Sequence, residues 1–192
     1  MANCAGTIFG EKKMTAEGIE RTFTVNYMSN FWLTTNLLDI LKEKWRIKNH
    51  YGCWQSHFFK NAKLNFDDLQ SVEKFNGLTA TSNAMFARLF FTFELARRLE
   101  ETKVTANAFN PGVIKSKLLA GSAWYLKLLG VLYKPFEKDI CDVSTWLSTS
   151  DEVQNVSGRF FDKDREIVPF HEKFDAAIGK RLWTMCEQIS GN

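Results

Sequence analysis

The residues able to do chemistry in this sequence are few and scattered. Cys4, Cys53, Cys141 and Cys186 form no Cys-x-x-Cys, and His50, His57 and His171 form no pair at metal-ligand spacing. Neither structural zinc nor a disulfide framework is therefore expected, and the four thiols read as reduced, small apolar side chains. No Gly-x-Ser-x-Gly elbow supports a serine hydrolase. The acidic pair Asp67-Asp68 reads as a turn and helix start in preference to a metal site. Asn26 and Asn30 need an explanation, because both fall on an otherwise apolar helical stripe. A polar side chain on a buried face costs free energy unless it finds backbone partners or a cavity. Asn26 can be read as a local cap at a helix kink or as a polar group belonging to a site.

The elements that would position these residues follow from periodicity. Residues 15 to 44 read as one long helix, with Thr15 as cap, Glu17 and Glu20 near its positive end, and Ile19, Phe23, Leu33, Leu37 and Leu41 as its apolar stripe. A second long helix is expected over 80 to 101, apolar on almost every face from Ala84 to Ala96 except at Arg88, Thr92 and Glu94. Val104 to Phe109 alternates as a strand and Asn110-Pro111-Gly112 turns after it, which completes an αβ unit of a parallel sheet. Asn65 to Gln70 reads as a turn and short helix, 143 to 148 and 173 to 189 as helices, and 158 to 161 as a short strand. Between Trp45 and Phe59 the pattern is irregular. The expected fold class is α/β: a partial doubly wound, Rossmann-like parallel sheet flanked by long helices, with strands near 46–54, 104–109 and 159–161 in a single domain over 1–192.

Composition agrees with a globular chain. Of 192 residues 45% are hydrophobic, including 17 Phe and 6 Trp, and 25 Lys and Arg are mixed among 22 Asp and Glu for a net charge of +3. So weak and dispersed a bias gives no field for nucleic acid. No signal peptide pattern opens the sequence and no run of eighteen apolar residues occurs, so a cytoplasmic protein is expected. The stretch Trp124 to Tyr133 is apolar enough to give peripheral contact with a membrane.

Taken in order, several motifs resemble the short-chain dehydrogenase/reductase family and, within it, the retinol-dehydrogenase-like group. They are Asn3-Cys4-Ala5-Gly6, Val25-Asn26-Tyr27, Leu64 to Gln70, Glu94-Leu95-Ala96-Arg97-Arg98-Leu99-Glu100, Asn110-Pro111-Gly112-Val113, Val156 to Phe161 and Arg181-Leu182-Trp183. The resemblance implies a nicotinamide cofactor, NAD or NADP, on a doubly wound sheet, and hydride transfer between it and a small lipophilic alcohol or carbonyl. By the same resemblance Asn3, Ala5 and Gly6 line the cofactor, Asn26 is the helix Asn of the family tetrad, and Pro111, Gly112, Val113 and Ser116 form the loop that meets the carboxamide. The Trp124 to Tyr133 stretch occupies the substrate-lid position, and reads equally as a helix covering the core.

The sequence also departs from the family pattern. The Gly-rich turn that cradles the cofactor phosphates, and roughly eighty residues of the first mononucleotide-binding half around it, have no counterpart in these 192 residues. Counted without gaps, the family Tyr falls on Thr81 and the Lys that lowers its pKa on Met85. The family serine falls on Gly52, Trp54 or Ser56, of which only Ser56 could serve. The expectation is an oxidoreductase lineage with impaired catalysis, and the alternatives are a non-catalytic binding or dimerisation module or a truncated product without activity. An uncovered strand edge adds the expectation of homo-oligomers or association with a full-length relative.

Overall fold

The computed structural model describes residues 2–43, 48–53, 59, 64–116, 118–119, 122, 124–170 and 174–191. Its centre is a five-stranded sheet in sequential order: β1 (Ala2–Asn3), β2 (Lys48–Gly52), β3 (Thr105–Phe109), β4 (Phe160–Phe161) and β5 (Ile167–Val168). The first four strands run parallel, with Asn3 opposite Tyr51, Gly52 opposite Phe109 and Phe109 opposite Phe161. β5 returns antiparallel to β4. Every residue of β3 is buried, as expected of a parallel strand covered on both faces. β1 and β5, two residues each, are too short to leave a periodic signal and were not anticipated.

The first helical segment differs from the expected helix over 15–44. Gly18 adopts φ +77°, and Thr15 to Ile19 closes a turn in which Thr15 N donates to Ile19 O at 2.8 Å. The left-handed conformation, open to glycine, ends any helix there. Helix begins only at α1 (Arg21–Phe23), capped by Glu20, whose carboxylate accepts from Phe23 N at 2.9 Å. A π-helical turn (Thr24–Met28) follows and leads into α2 (Ser29–Glu43). The short helix anticipated within 65–70 is instead a run of bends and turns: Asp68 carboxylate oxygens accept from Val72 N and Glu73 N, and Ser71 has φ 56°.

α3 (Gly77–Arg98) starts at Asn76, whose side chain accepts from Leu78 N and Thr79 N. α6 (Ala176–Ser190) starts at Asp175 and ends on the left-handed Gly191. These two helices and α2 pack on one face of the sheet around Phe23, Tyr27, Phe31, Phe91 and Trp183, with Trp183 stacked on Phe91 at 5.5 Å. Aromatic contacts of this kind add roughly 1 kcal/mol each beyond the area they bury. On the other face, α5 (Asp142–Thr149) covers Phe109 and Phe161 with Val143 and Leu147.

α4 (Trp124–Tyr133), continued by a 3-10 turn (Lys134–Phe136), is different in kind. Trp124, Leu128, Val131, Leu132 and Phe136 are all exposed, so the face that these residues share is turned to solvent. Among the described residues no helix is long and apolar enough to cross a membrane, and no cluster of His, Cys, Asp or Glu could hold a metal ion.

Candidate functional site

Parallel α/β sheets place their sites at the carboxyl ends of the strands. Here that edge is formed by the Cys4-Ala5-Gly6 turn after β1, by Gly52 at the end of β2 and by Asn110-Pro111-Gly112 after β3. Asn26 reaches the first turn from the π-helical segment. Its side chain accepts from Thr7 N at 2.8 Å and donates to Thr7 O at 2.9 Å, so it clasps the peptide after Gly6 from both sides. Both of its polar atoms are satisfied by backbone, which resolves the cost of placing Asn26 on a buried stripe. Asn30 is held more weakly, its amide donating to Asn26 O at 3.5 Å.

Thr81, Met85 and Arg88 lie at i, i+4 and i+7 of α3 and share one face. Thr81 is buried, and its hydroxyl donates to Gly77 O at 2.7 Å, a bond back into its own helix. Met85 is also buried, and its Cε lies so near Gly6 that a Cβ there would meet it at 2.9 Å. Arg88 is the residue that sequence reasoning passed over as a mere polar exception on an apolar helix. Only 1% exposed, its guanidinium donates to Gly52 O at 2.6 Å, to Ala5 O at 2.8 Å and, through Nε at 2.8 Å and also Nη2, to Asn26 O. One side chain thus ties the ends of β1 and β2 to the π-helical turn. Its i+7 spacing from Thr81 was the available signal.

The electrostatics around Arg88 are those of a closed, dry place. Burial lowers the pKa of Arg88 itself and pushes the Cys53 thiol up to about 12, the nearby guanidinium offsetting only part of the latter shift. Burial raises the Tyr51 phenol too; its hydroxyl pairs with Thr34 at 2.8 Å. All these acids stay protonated at neutral pH, so none supplies a counter-charge. No carboxylate forms an ion pair with Arg88 among the described residues.

The remaining anticipated positions separate into near and far. Asn3 is buried at the end of β1, with Nδ2 lacking a partner among the described residues. Gly112 takes φ +74°, and its N donates to Asn110 Oδ1, so the turn after β3 is firmly set. Pro111 O lies 4.0 Å from Cys141 Sγ, and Val113 O accepts from Lys138 N. Ser116 is exposed and accepts only from Leu118 N at 3.4 Å. The structure brings Ala5, Gly6, Asn26, Met85 and Arg88 together, with Thr81 one turn before Met85 on the same helix face, and Ser116 connects to the first turn through Leu118, whose carbonyl accepts from Ile8 N and Thr7 Oγ1. Ser56 lies outside the described residues. A cavity of about 720 Å³ opens at the opposite, amino end of the sheet, beside Arg97, Val104, Thr105, Ser157 and Arg159.

A mostly parallel sheet between two helical layers, with a polar turn and a long helix meeting at its carboxyl edge, is the architecture of nucleotide-binding α/β proteins. Solved structures agree on the fold. An uncharacterised protein from Mycobacterium paratuberculosis superposes with TM-score 0.66 at 21% identity, over 100% of this chain and 67% of that one. A 3-ketoacyl-(acyl-carrier-protein) reductase from Brucella melitensis, complexed with NADH, gives 0.55 at 17% over 84% of this chain and 63% of that one. In sequence the chain is 33% identical over 201 aligned residues to human retinol dehydrogenase 14, covering 100% of this chain and 58% of the relative. It is 34% identical to mouse retinol dehydrogenase 13, over 92% and 55% of the two chains. Human polyprenol dehydrogenase is 29% identical, over 100% and 60%. No protein-family model matches. The chain belongs to the short-chain dehydrogenase/reductase family, in its retinol-dehydrogenase-like group. It spans a little under 60% of the length of retinol dehydrogenase 14.

Proposed function

We propose that this chain is a retinol-dehydrogenase-like protein of oxidoreductase descent in which the site for proton transfer has been rebuilt as a structural joint. The observation that carries this reading is the set of bonds from Arg88 to the carbonyls of Ala5, Asn26 and Gly52. A threonine hydroxyl is far too weak an acid to replace a phenol, and the Thr81 hydroxyl is already bonded to Gly77 O. A thioether at Met85 carries no charge to hold a ribose or to lower a neighbouring pKa. Among the described residues the cation at this place is Arg88, and its guanidinium is engaged by backbone carbonyls.

The residues present do not fit a nicotinamide cofactor. On the side where a Cβ would leave Gly6 it would meet Met85 Cε at 2.9 Å and Asn26 Oδ1 at 3.3 Å, which speaks against room for a ring against that turn. NAD or NADP therefore remains an attribute of the lineage, represented by the NADH of the Brucella reductase and the NADP of the landomycin ketoreductase LanV. Lipophilic alcohols, of which retinol and polyprenol are the examples among the relatives' names, are likewise the lineage's substrates. Titration of the purified chain with NADPH, followed by nicotinamide fluorescence, tests the proposal. No saturable enhancement is expected up to about 1 mM, equivalent to a binding free energy weaker than about −4 kcal/mol. A micromolar midpoint would overturn it.

A second reading, a binding module that pairs with itself or with a full-length relative, is favoured by Leu33 and Ile40. Seven residues apart on α2, they are 47% and 54% exposed and form an uncovered helical stripe. β1 adds an outer sheet edge with no strand on it among the described residues. Co-purification with an intact retinol dehydrogenase, lost on Leu33→Glu and Ile40→Glu together, would support that module. Unchanged monodisperse monomer in light scattering would remove it.

A further inference from the structure

We infer that α4 and the turn after it form a docking element for an anionic lipid surface, lying in the plane of the bilayer interface. Trp124, Leu128, Val131 and Leu132 fall at i, i+4, i+7 and i+8, a single helical stripe, and they are 77%, 63%, 53% and 68% exposed. Phe136 extends the stripe at the carboxyl end. A continuous apolar face of this kind turned to water marks a surface meant to be covered.

Charge decides what covers it. Lys127 and Lys134 are exposed, seven residues apart, and run along one border of the stripe. Among the described residues neither forms an ion pair, whereas Lys115 and Lys138 at the foot of the segment are paired with Asp139 and Asp142. An apolar face carrying Trp and Leu with lysines at its edge suits acyl chains beside anionic headgroups. A second copy of the chain fits less well in antiparallel two-fold pairing, which brings the two rows of lysines to the same side of the joined stripes. Thirteen residues from Trp124 to Phe136 cover only about 20 Å if helical throughout, too little to span a hydrocarbon core of about 30 Å, so the element lies along the surface.

The element is attached to the carboxyl edge of the sheet. Leu118, just before α4, offers its carbonyl to Ile8 N at 3.1 Å and Thr7 Oγ1 at 3.3 Å, and Thr7 is the residue clasped by Asn26. Docking would therefore bring that edge toward the lipid. The inference stands on the exposed stripe and its lysines, and holds whether or not a nicotinamide binds.

Vesicle flotation of the full chain tests it, with phosphatidylcholine alone against phosphatidylcholine and phosphatidylserine at about four to one. The chain should float with the anionic vesicles, and less so as salt is raised. Leu128→Glu with Leu132→Glu, at exposed positions where circular dichroism should confirm an unchanged fold, should weaken binding at least about tenfold. Lys127→Glu with Lys134→Glu should abolish the preference for phosphatidylserine. Failure of the wild-type chain to float, or flotation of the double Glu variant at wild-type level, overturns the inference. So does a change of oligomeric state in that variant with no change in flotation, since a second copy would then be what covers the stripe.

Discussion

Two charges lie buried on α3, six residues apart, and the helix deals with them in opposite ways. Glu94 is fully buried, yet its carboxylate accepts from Arg97 at 2.7 and 2.9 Å and from Arg98 at 2.8 Å, both from the next turn of its own helix. Those arginines extend to solvent, and Arg98 rests on Trp183 at 4.0 Å. Arg88 has no such local arrangement. It is neutralised only by carbonyl dipoles from segments 36, 62 and 83 residues away in sequence. The Glu94 cluster can form as soon as the helix does, whereas the Arg88 joint exists only when β1, β2 and the π-helical turn are already in place. A buried charge of the first kind supports an element; one of the second kind tests whether the elements have assembled.

The largest effect should follow from emptying the joint. Arg88→Met leaves three carbonyls, those of Asn26 and Gly52 in buried bonds and that of Ala5 in a half-buried one, without their donor and should cost about 4 kcal/mol in urea unfolding followed by circular dichroism. Arg88→Lys should lose roughly half as much, because a single ammonium lacks the planar fork that reaches three acceptors. A loss below about 1 kcal/mol for the Met variant would mean that the joint contributes little, and the contrast with Glu94 would collapse.

Acid should act next. His50, buried in β2, can escape its unfavourable position by staying neutral, as Arg88 cannot: burial lowers its pKa to about 4. The unfolded chain, with an ordinary imidazole near 6.5, takes up the proton first. Stability is thus fully present above about pH 6.5 and falls as pH drops toward 4, by up to about 3 kcal/mol. Thermal unfolding across that range checks the sign, and His50→Phe should flatten the curve.

Glu94→Gln should cost about 2 kcal/mol, since two arginines lose a charged acceptor while the amide oxygen still accepts. The Glu94 carboxyl is pushed up by burial but pulled down further by Arg97 and Arg98, so its net pKa is lowered. Its share of stability is present above the ordinary carboxylate range and is lost as pH falls through the lowered value. The smallest effect belongs to Arg97→Ala, at or below about 1 kcal/mol, because Arg97 is exposed to solvent and Arg98 remains to pair with Glu94. If Arg97→Ala cost as much as Arg88→Met, local and long-range pairing would not differ as argued.

What the sequence made legible was whatever is local. The apolar run of α3, the alternation of β3 and the turn at Asn110-Pro111-Gly112 are patterns within a few residues, and each is found in the fold, although α3 starts at Gly77 behind an Asn76 cap and not at 80. Asn26 was singled out correctly as a polar residue that must find partners, and Thr7 supplies them. The helix expected from Thr15 failed on Gly18, because a stripe drawn through Ile19 gave no weight to one left-handed residue. Arg88 was noted only as a polar exception on an apolar helix, because nothing near it in sequence indicates that three carbonyls converge on it. For Trp124 to Tyr133, periodicity shows which residues share a stripe but not which way the stripe faces, and here it faces water.

The π-helical turn at Thr24–Met28 has a longer reach than its five residues suggest. By widening the helix it presents the Asn26 carbonyl as a fixed socket, and the Ala5 and Gly52 carbonyls stand around the same point. Arg88 is the side chain that fills this socket, so one position on α3 holds two strand ends and a helical turn in register, and a change there is felt in three segments at once.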